Sequence, residues 1–417
     1  MNIPILDSYE RTNLSSNTLA VLVDFAAADL SRPLSNLDVD WEEVFAGVMQ
    51  NGLIGLAYHY LSANPTLSSP PPTFRGQVKR AFILQSLRTA WINRNIRQVL
   101  GALNDSGIDY LVVKGPAVAQ MLFPKPNLRV YNDLDLVVRE RNWEDLSRLL
   151  FQLEYSILAG QPAPPPKVIP QETDHETEYL NAEENFRVEA HYDDILRTGL
   201  MARDAEAFWR RSIQLEFEGI PIRTLCLEDH LTYLCAHAHH HGYSRLNWFS
   251  DIALIVRDRA DQVNWQALAA TIRAEDAQVP VYYTLHYLER LMGIHAPASF
   301  MERIRPDAFR RRVHDLLMPP DKVLSFEPLP DFRFSFYFWP LYQRLLPDLM
   351  VMGRRKEKLT FLLRLLAPPR DWLRYYYNLD QDGWIDYYYL LHPLKVAGIY
   401  IKETYLALMR RRWNRIR

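Results

Sequence analysis

The chain has 417 residues, 48% hydrophobic and 24% charged, which is the balance of a globular protein with more than one packed region. A formal net charge of −2 excludes a global attraction to nucleic acid and leaves only local basic faces open. Two cysteines, Cys226 and Cys235, exclude a disulfide framework and a Cys-x-x-Cys metal site. With neither a secretion-type start nor a run near the roughly 18 apolar residues of a membrane helix, a cytoplasmic setting is expected.

Residues 1–100 read as an N-terminal helical region. Leu19, Leu22, Val23, Ala26 and Leu30 recur at helical spacing, as do Trp41, Val44, Phe45 and Val48. Asn51-Gly52 breaks the second pattern before Leu53 to Leu61 resumes it, and 62–74 is a loop by composition. A long helix over Val78 to Leu103 leads into Gly107 and the first strand, and these helices are expected to cover a catalytic sheet.

Residues 101–200 carry the chemistry. Leu111-Val112-Val113 is a short apolar run ended by Lys114-Gly115-Pro116, where the glycine lets the backbone turn sharply. After an amphipathic segment and Arg129 comes a second strand, with Asp133 and Asp135 on either side of Leu134. Residues two apart on a strand share a face, so the two carboxylates project together. They repel each other there, and a divalent cation, Mg²⁺ or Mn²⁺, is what such an arrangement serves. Trp143 to Leu153 is a helix candidate, and Pro162, Pro164, Pro165, Pro166 and Pro170 make 161–171 a loop. Glu176 to Asn181 and Phe186 to Asp193 then read as strands joined by a hairpin turn over 182–185. Arg187, Glu189 and His191 share one face of the second, an alternation that would bring Glu189 beside Asp133 and Asp135, with Asp193 in reserve.

From about residue 200 the chain reads as helical, with a domain over 201–305. Its strongest stretch runs from Glu228 to Arg257. His237 and His241, four apart, share a helical face compatible with a metal pair, but no glutamate stands between them as in His-Glu-x-x-His. His239 and His240 are expected to be exposed. The region 306–417 is basic in patches, at 310–312, 354–356 and 410–417, and rich in tyrosines at 375–377 and 387–389. That mixture suits RNA or a membrane surface. The plainer reading is aromatic helix interfaces and basic helix ends.

Lys114-Gly115, Arg129 and Asp133-Leu134-Asp135 together resemble the signature of the DNA polymerase β-like nucleotidyltransferases, in particular an uncharacterised bacterial family with Lys-Gly where better-known members have Gly-Ser. The resemblance extends over 44–61 and to His237, Leu246, Trp248 and Asp251, and weakens from Pro306. It implies an α/β (α+β) fold, a mixed sheet flanked by helical regions, with Glu189 as the third metal-binding carboxylate. It also implies transfer of a nucleoside monophosphate from an NTP, by default ATP, to a hydroxyl acceptor on a protein, an RNA or a small molecule. Lys114, Gly115 and Arg129 would then bind the nucleotide. Pro116 stands where a serine usually contacts the triphosphate, so Lys114 or backbone amides would substitute for it. Two further readings stay open: a nucleotide-binding module that has lost transfer, and a metallohydrolase built on His237 and His241.

Overall fold

The computed structural model describes residues 14–67, 69–157, 176–192, 205–326 and parts of 358–398. The loop expected at 161–171, Asp193 and the basic patches at 354–356 and 410–417 lie outside them. The chain divides into two compact units, one of residues 1–162 and 175–329, the other of 163–174 and 330–417.

The first unit is built on a seven-stranded mixed sheet flanked by helices, the fold class expected. Its strands are β1 (Tyr110–Val112), β2 (Asp133–Val138), β3 (Ser156–Ile157), β4 (Glu176–Asn181), β5 (Phe186–Tyr192), β6 (Ile213–Phe217) and β7 (Ile220–Thr224). They lie in the order β3-β4-β5-β2-β1-β7-β6. β2 runs parallel to β5 and antiparallel to β1, so the carboxylate strand is central. Its apolar positions Leu134, Leu136, Val137 and Val138 have no exposed surface, which fixes its register, because a one-residue slip would turn the apolar face outward.

β6 and β7 correct the reading of 200 onward as helical. They form a hairpin that joins the sheet through β7 beside β1. Glu218 and Gly219, with φ of 47° and 85°, make the two-residue turn that suits the right-handed twist of paired strands.

Four helices precede the sheet: α1 (Ser16–Ala26), α2 (Trp41–Gln50), α3 (Ile54–Ala63) and α4 (Pro72–Ser106). α1 is capped by Ser15 and α2 by Asp40, each accepting a backbone N–H of the first turn. α4 is 35 residues long, starts on a proline and ends at Gly107 in the left-handed conformation. It is tied to both hairpin turns of the sheet: Trp91 donates to Glu184 between β4 and β5, and Asn93 donates to Glu218 between β6 and β7. Gly55 of α3 lies against the 126–128 turn, where an added Cβ would come within 2.1 Å of the Leu128 carbonyl oxygen. Only glycine permits that approach.

Between and after the strands come α5 (Pro116–Leu122), α6 (Trp143–Gln152), α7 (Ala205–Arg211), α8 (Leu227–His240), α9 (Leu246–Asp258), α10 (Trp265–Ala274), α11 (Gln278–Met292), α12 (Ala298–Ile304), α13 (Ala308–Leu317) and α14 (Pro320–Leu324). Arg32, just after α1, donates to the carbonyl of Met292 in α11, and Arg257 of α9 donates to Ala27 and Ala28. In the second unit, α15 (Arg370–Tyr377) and a helical stretch over 385–398 share a small core of Leu373 and Ile385, with Tyr377 and Tyr389 packed on it. Tyr377 there contacts His392 at 3.0 Å, so two of these tyrosines serve helix packing.

Candidate active site

The β2–β5 register sets Asp133 opposite Arg187 and Asp135 opposite Glu189. On the other side of β5, Glu178 of β4 stands opposite Glu189. Side chains directly opposite in a ladder share a face, so Asp135, Glu189 and Glu178 form a row of carboxylates across three neighbouring strands. The sequence pattern marks the strand of Glu178, but only the β4–β5 register puts its carboxylate in the row. Such a row is unfavourable without cations. Lys114 supplies one: its Nζ lies 2.5 Å from Asp135 Oδ1 and 3.6 Å from Glu189 Oε2. Arg187 reaches Glu178 at 3.9 Å.

The backbone before Lys114 is pinned from several sides, which fixes where the ammonium can reach. Val113 N–H donates to the Asp135 carbonyl, and the Thr224 hydroxyl donates to Val112. The buried ring of His230 lies 3.0 Å from the carbonyl oxygens of both Val113 and Leu225. Gly115 follows at φ 49°, ψ −113°, a conformation that strains any side chain. A Cβ there would meet nothing nearer than 3.6 Å, so the requirement is conformational, not spatial. Pro116 is the first residue of α5, a position that has no use for the N–H proline lacks.

Arg129 is held by hydrogen bonds within the chain. Its Nε and Nη2 donate to Asp251 of α9 at 2.9 and 2.7 Å, a bidentate pair, and its Nη1 donates to the Gly115 carbonyl at 3.3 Å. Both partners are buried. The guanidinium thus ties α9 to the Lys114-Gly115 turn. Arg129 and Asp251 are 122 residues apart, so spacing could not reveal the pair.

Asp135 is wholly buried, and apart from the Lys114 ammonium no donor among the described residues reaches either of its carboxylate oxygens. Burial pushes its pKa well above the usual carboxylate range. Lys114 opposes that shift, and the charges of Asp133 and Glu189 add to it. One oxygen of Asp135, one of Glu189 and a ring nitrogen of His191 all lie within 4.8 Å of one another, the one set of three or more such donors among the described residues. A buried carboxylate poor in donors, beside two further ligand atoms, fits a divalent cation.

The histidine-rich helix has another character. The His237 ring packs 4.6 Å from His241 and 5.0 Å from Trp248, and no carboxylate or cysteine joins them in a ligand set among the described residues. His239, expected to be exposed, is buried against His314 and Tyr243, because α8 is covered on that side by α11 and α13. No described helix is long and apolar enough to cross a membrane.

No curated protein matches the chain. The sequence pattern of one family matches residues 38–293, more than half of the chain, taking in the α2–α4 helices, the whole sheet with its carboxylate row, and the helices that hold Asp251 and His237. On that match, the chain belongs to the family described as uncharacterised nucleotidyltransferases.

Proposed function

We propose that the protein transfers a nucleoside monophosphate from an NTP, by default ATP, to a hydroxyl acceptor, with Asp133, Asp135 and Glu189 holding Mg²⁺ or Mn²⁺. The observation that carries the reading is the parallel β2–β5 register, which sets Asp135 against Glu189 with the Lys114 ammonium between them. A retired site has no physical need to keep buried like charge together, since each such carboxylate costs desolvation.

In this reading an acceptor hydroxyl oxygen attacks the α-phosphorus. A new P–O bond forms, the bond from the α-phosphorus to the oxygen shared with the β-phosphate breaks, and its electron pair leaves with pyrophosphate. The hydroxyl proton passes to water through the carboxylate row. A bound cation would supply Lewis-acid charge for the phosphates and the acceptor oxygen. The chain's own residues position and neutralise. Lys114, released from Asp135, offsets phosphate charge; Gly115 allows the backbone to come close; Arg129 acts from behind, holding that turn against Asp251.

The test is transfer of label from α-labelled ATP, CTP, GTP and UTP, with Mg²⁺ or Mn²⁺, into a cell extract, beside an Asp133→Asn, Asp135→Asn control. Label entering a product with the wild type alone supports transfer and identifies the acceptor class. Nucleotide bound but never consumed would overturn it in favour of the binding module.

A further inference from the structure

His191 lies one step further along the same face as Glu189. In the β2–β5 ladder Val137 faces His191 just as Asp135 faces Glu189, and Glu189 and His191, two residues apart, point the same way. His191 is 1% exposed, Glu189 7% and Asp135 not at all, so the set is enclosed. Asp133, at the open start of β2, is not part of it.

The distances suit a common cation. Donors bound at about 2.1 Å stand roughly 3 Å apart when at right angles and about 4.2 Å apart when opposite. The three donors lie within 4.8 Å of one another, so side-chain adjustment, with the Lys114 ammonium drawn back from Asp135, closes them on one ion. The donor types then decide which ion. Mg²⁺ takes oxygen ligands and keeps its waters, whereas imidazole nitrogen favours first-row transition ions, with Mn²⁺ accepting both kinds.

We infer that His191 is a metal ligand, and that Asp135, Glu189 and His191 form a mixed oxygen and nitrogen site that prefers a first-row transition ion such as Mn²⁺ over Mg²⁺. The inference rests on the reading that these carboxylates hold a divalent cation. The imidazole adds a nitrogen donor to the carboxylate reading, and Asp133, at the open start of β2, adds its oxygen from the substrate side.

The experiment is pulsed EPR of Mn²⁺ bound to the full chain, with Mg²⁺ affinity measured by competition. Wild type is expected to show nitrogen-14 modulation from a directly bound imidazole. His191→Gln should lose that modulation and bind Mn²⁺ at least about tenfold more weakly, with Mg²⁺ affinity changing less. Because His191→Gln could fail to fold, its melting curve is compared with wild type. His191→Asp is carried beside it: an oxygen donor should restore Mn²⁺ binding without the nitrogen signal and narrow the preference over Mg²⁺. All-oxygen coordination in wild type, or modulation that survives in His191→Gln, overturns this inference and leaves the carboxylate reading intact. Failure of wild type to bind Mn²⁺ at all overturns both.

Discussion

On the β2–β5 face, Asp135 and Glu189 are buried beside the Lys114 ammonium, whereas between α8, α11 and α13 His239 and His314 are buried 5.4 Å apart among tyrosine rings. The two regions meet the cost of burial in opposite ways. A histidine escapes it by staying neutral: burial lowers the pKa of His239 to about 3, and His314 beside it adds to the shift. Neighbouring carboxylates have no such exit without a proton or a cation, and Asp135 and Glu189 share the Lys114 ammonium. Buried charge that packing does not require marks a site, while buried neutral rings mark a core.

The largest expected effect falls on the support of the site, not on the site itself. Arg129→Met leaves Asp251 buried and unpaired, so urea unfolding should show a loss of about 3–5 kcal/mol. Adding Asp251→Leu should recover most of it, since removing both charges removes the uncompensated one. A double variant as unstable as the single would mean that the pair's value lies in its contact with Gly115.

Asp135→Asn separates the two regions most sharply. Transfer should fall by about 10²–10³-fold, measured with labelled nucleotide, the size of losing one electrostatic contact to the transition state. The same protein should melt close to wild type, because Glu189 still pairs with Lys114 and the amide removes one of the neighbouring like charges.

The buried histidines, His239 of the ring cluster and His230 behind the Lys114 turn, answer to acid instead. His230 and His239 have folded pKa values lowered to about 4 and about 3 from the ordinary 6.5, so both are neutral when folded and take up protons on unfolding below 6.5. Their stabilising contribution is complete above pH 6.5 and is lost as pH falls toward 4 and 3. The slope is up to about 1.4 kcal/mol per pH unit for each ring. Melting temperature against pH should therefore drop below 6.5, and His239→Gln should flatten that drop by one ring's share. An unchanged profile would move the acid sensitivity to the carboxylates.

Gly115→Ala should have a smaller effect on stability, about 1–3 kcal/mol from a positive-φ backbone outside the left-handed helical region, read from the urea midpoint. With no atom within 3.6 Å of the added methyl, a much larger loss would mean that the turn is also sterically confined.

What could be read from the sequence follows the same divide between local and distant causes. Asp133 and Asp135 share a face because of strand pleat alone, and the turn between β4 and β5 follows from its polar residues, so both were visible in the spacing. The β6–β7 hairpin was also written locally, in the alternation of Ile213, Leu215 and Phe217 and in Glu218-Gly219, and was missed beside the longer helical patterns. Strand pleat alone puts His191 on the same face as Glu189; only the register that brings β5 beside β2 shows it near Asp135. The Arg129–Asp251 pair and the burial of His239 depend on segments far apart in the chain, where no period carries the information.

The central claim is that the β2–β5 carboxylates hold the cation at which transfer occurs, and its most direct test is a crystal grown with Mn²⁺ and an NTP analogue that cannot be cleaved at the α-phosphorus. An anomalous peak within bonding distance of Asp135 and Glu189, with the α-phosphate beside it, is the predicted result. A nucleotide seated elsewhere, with no metal between these two carboxylates, would contradict it.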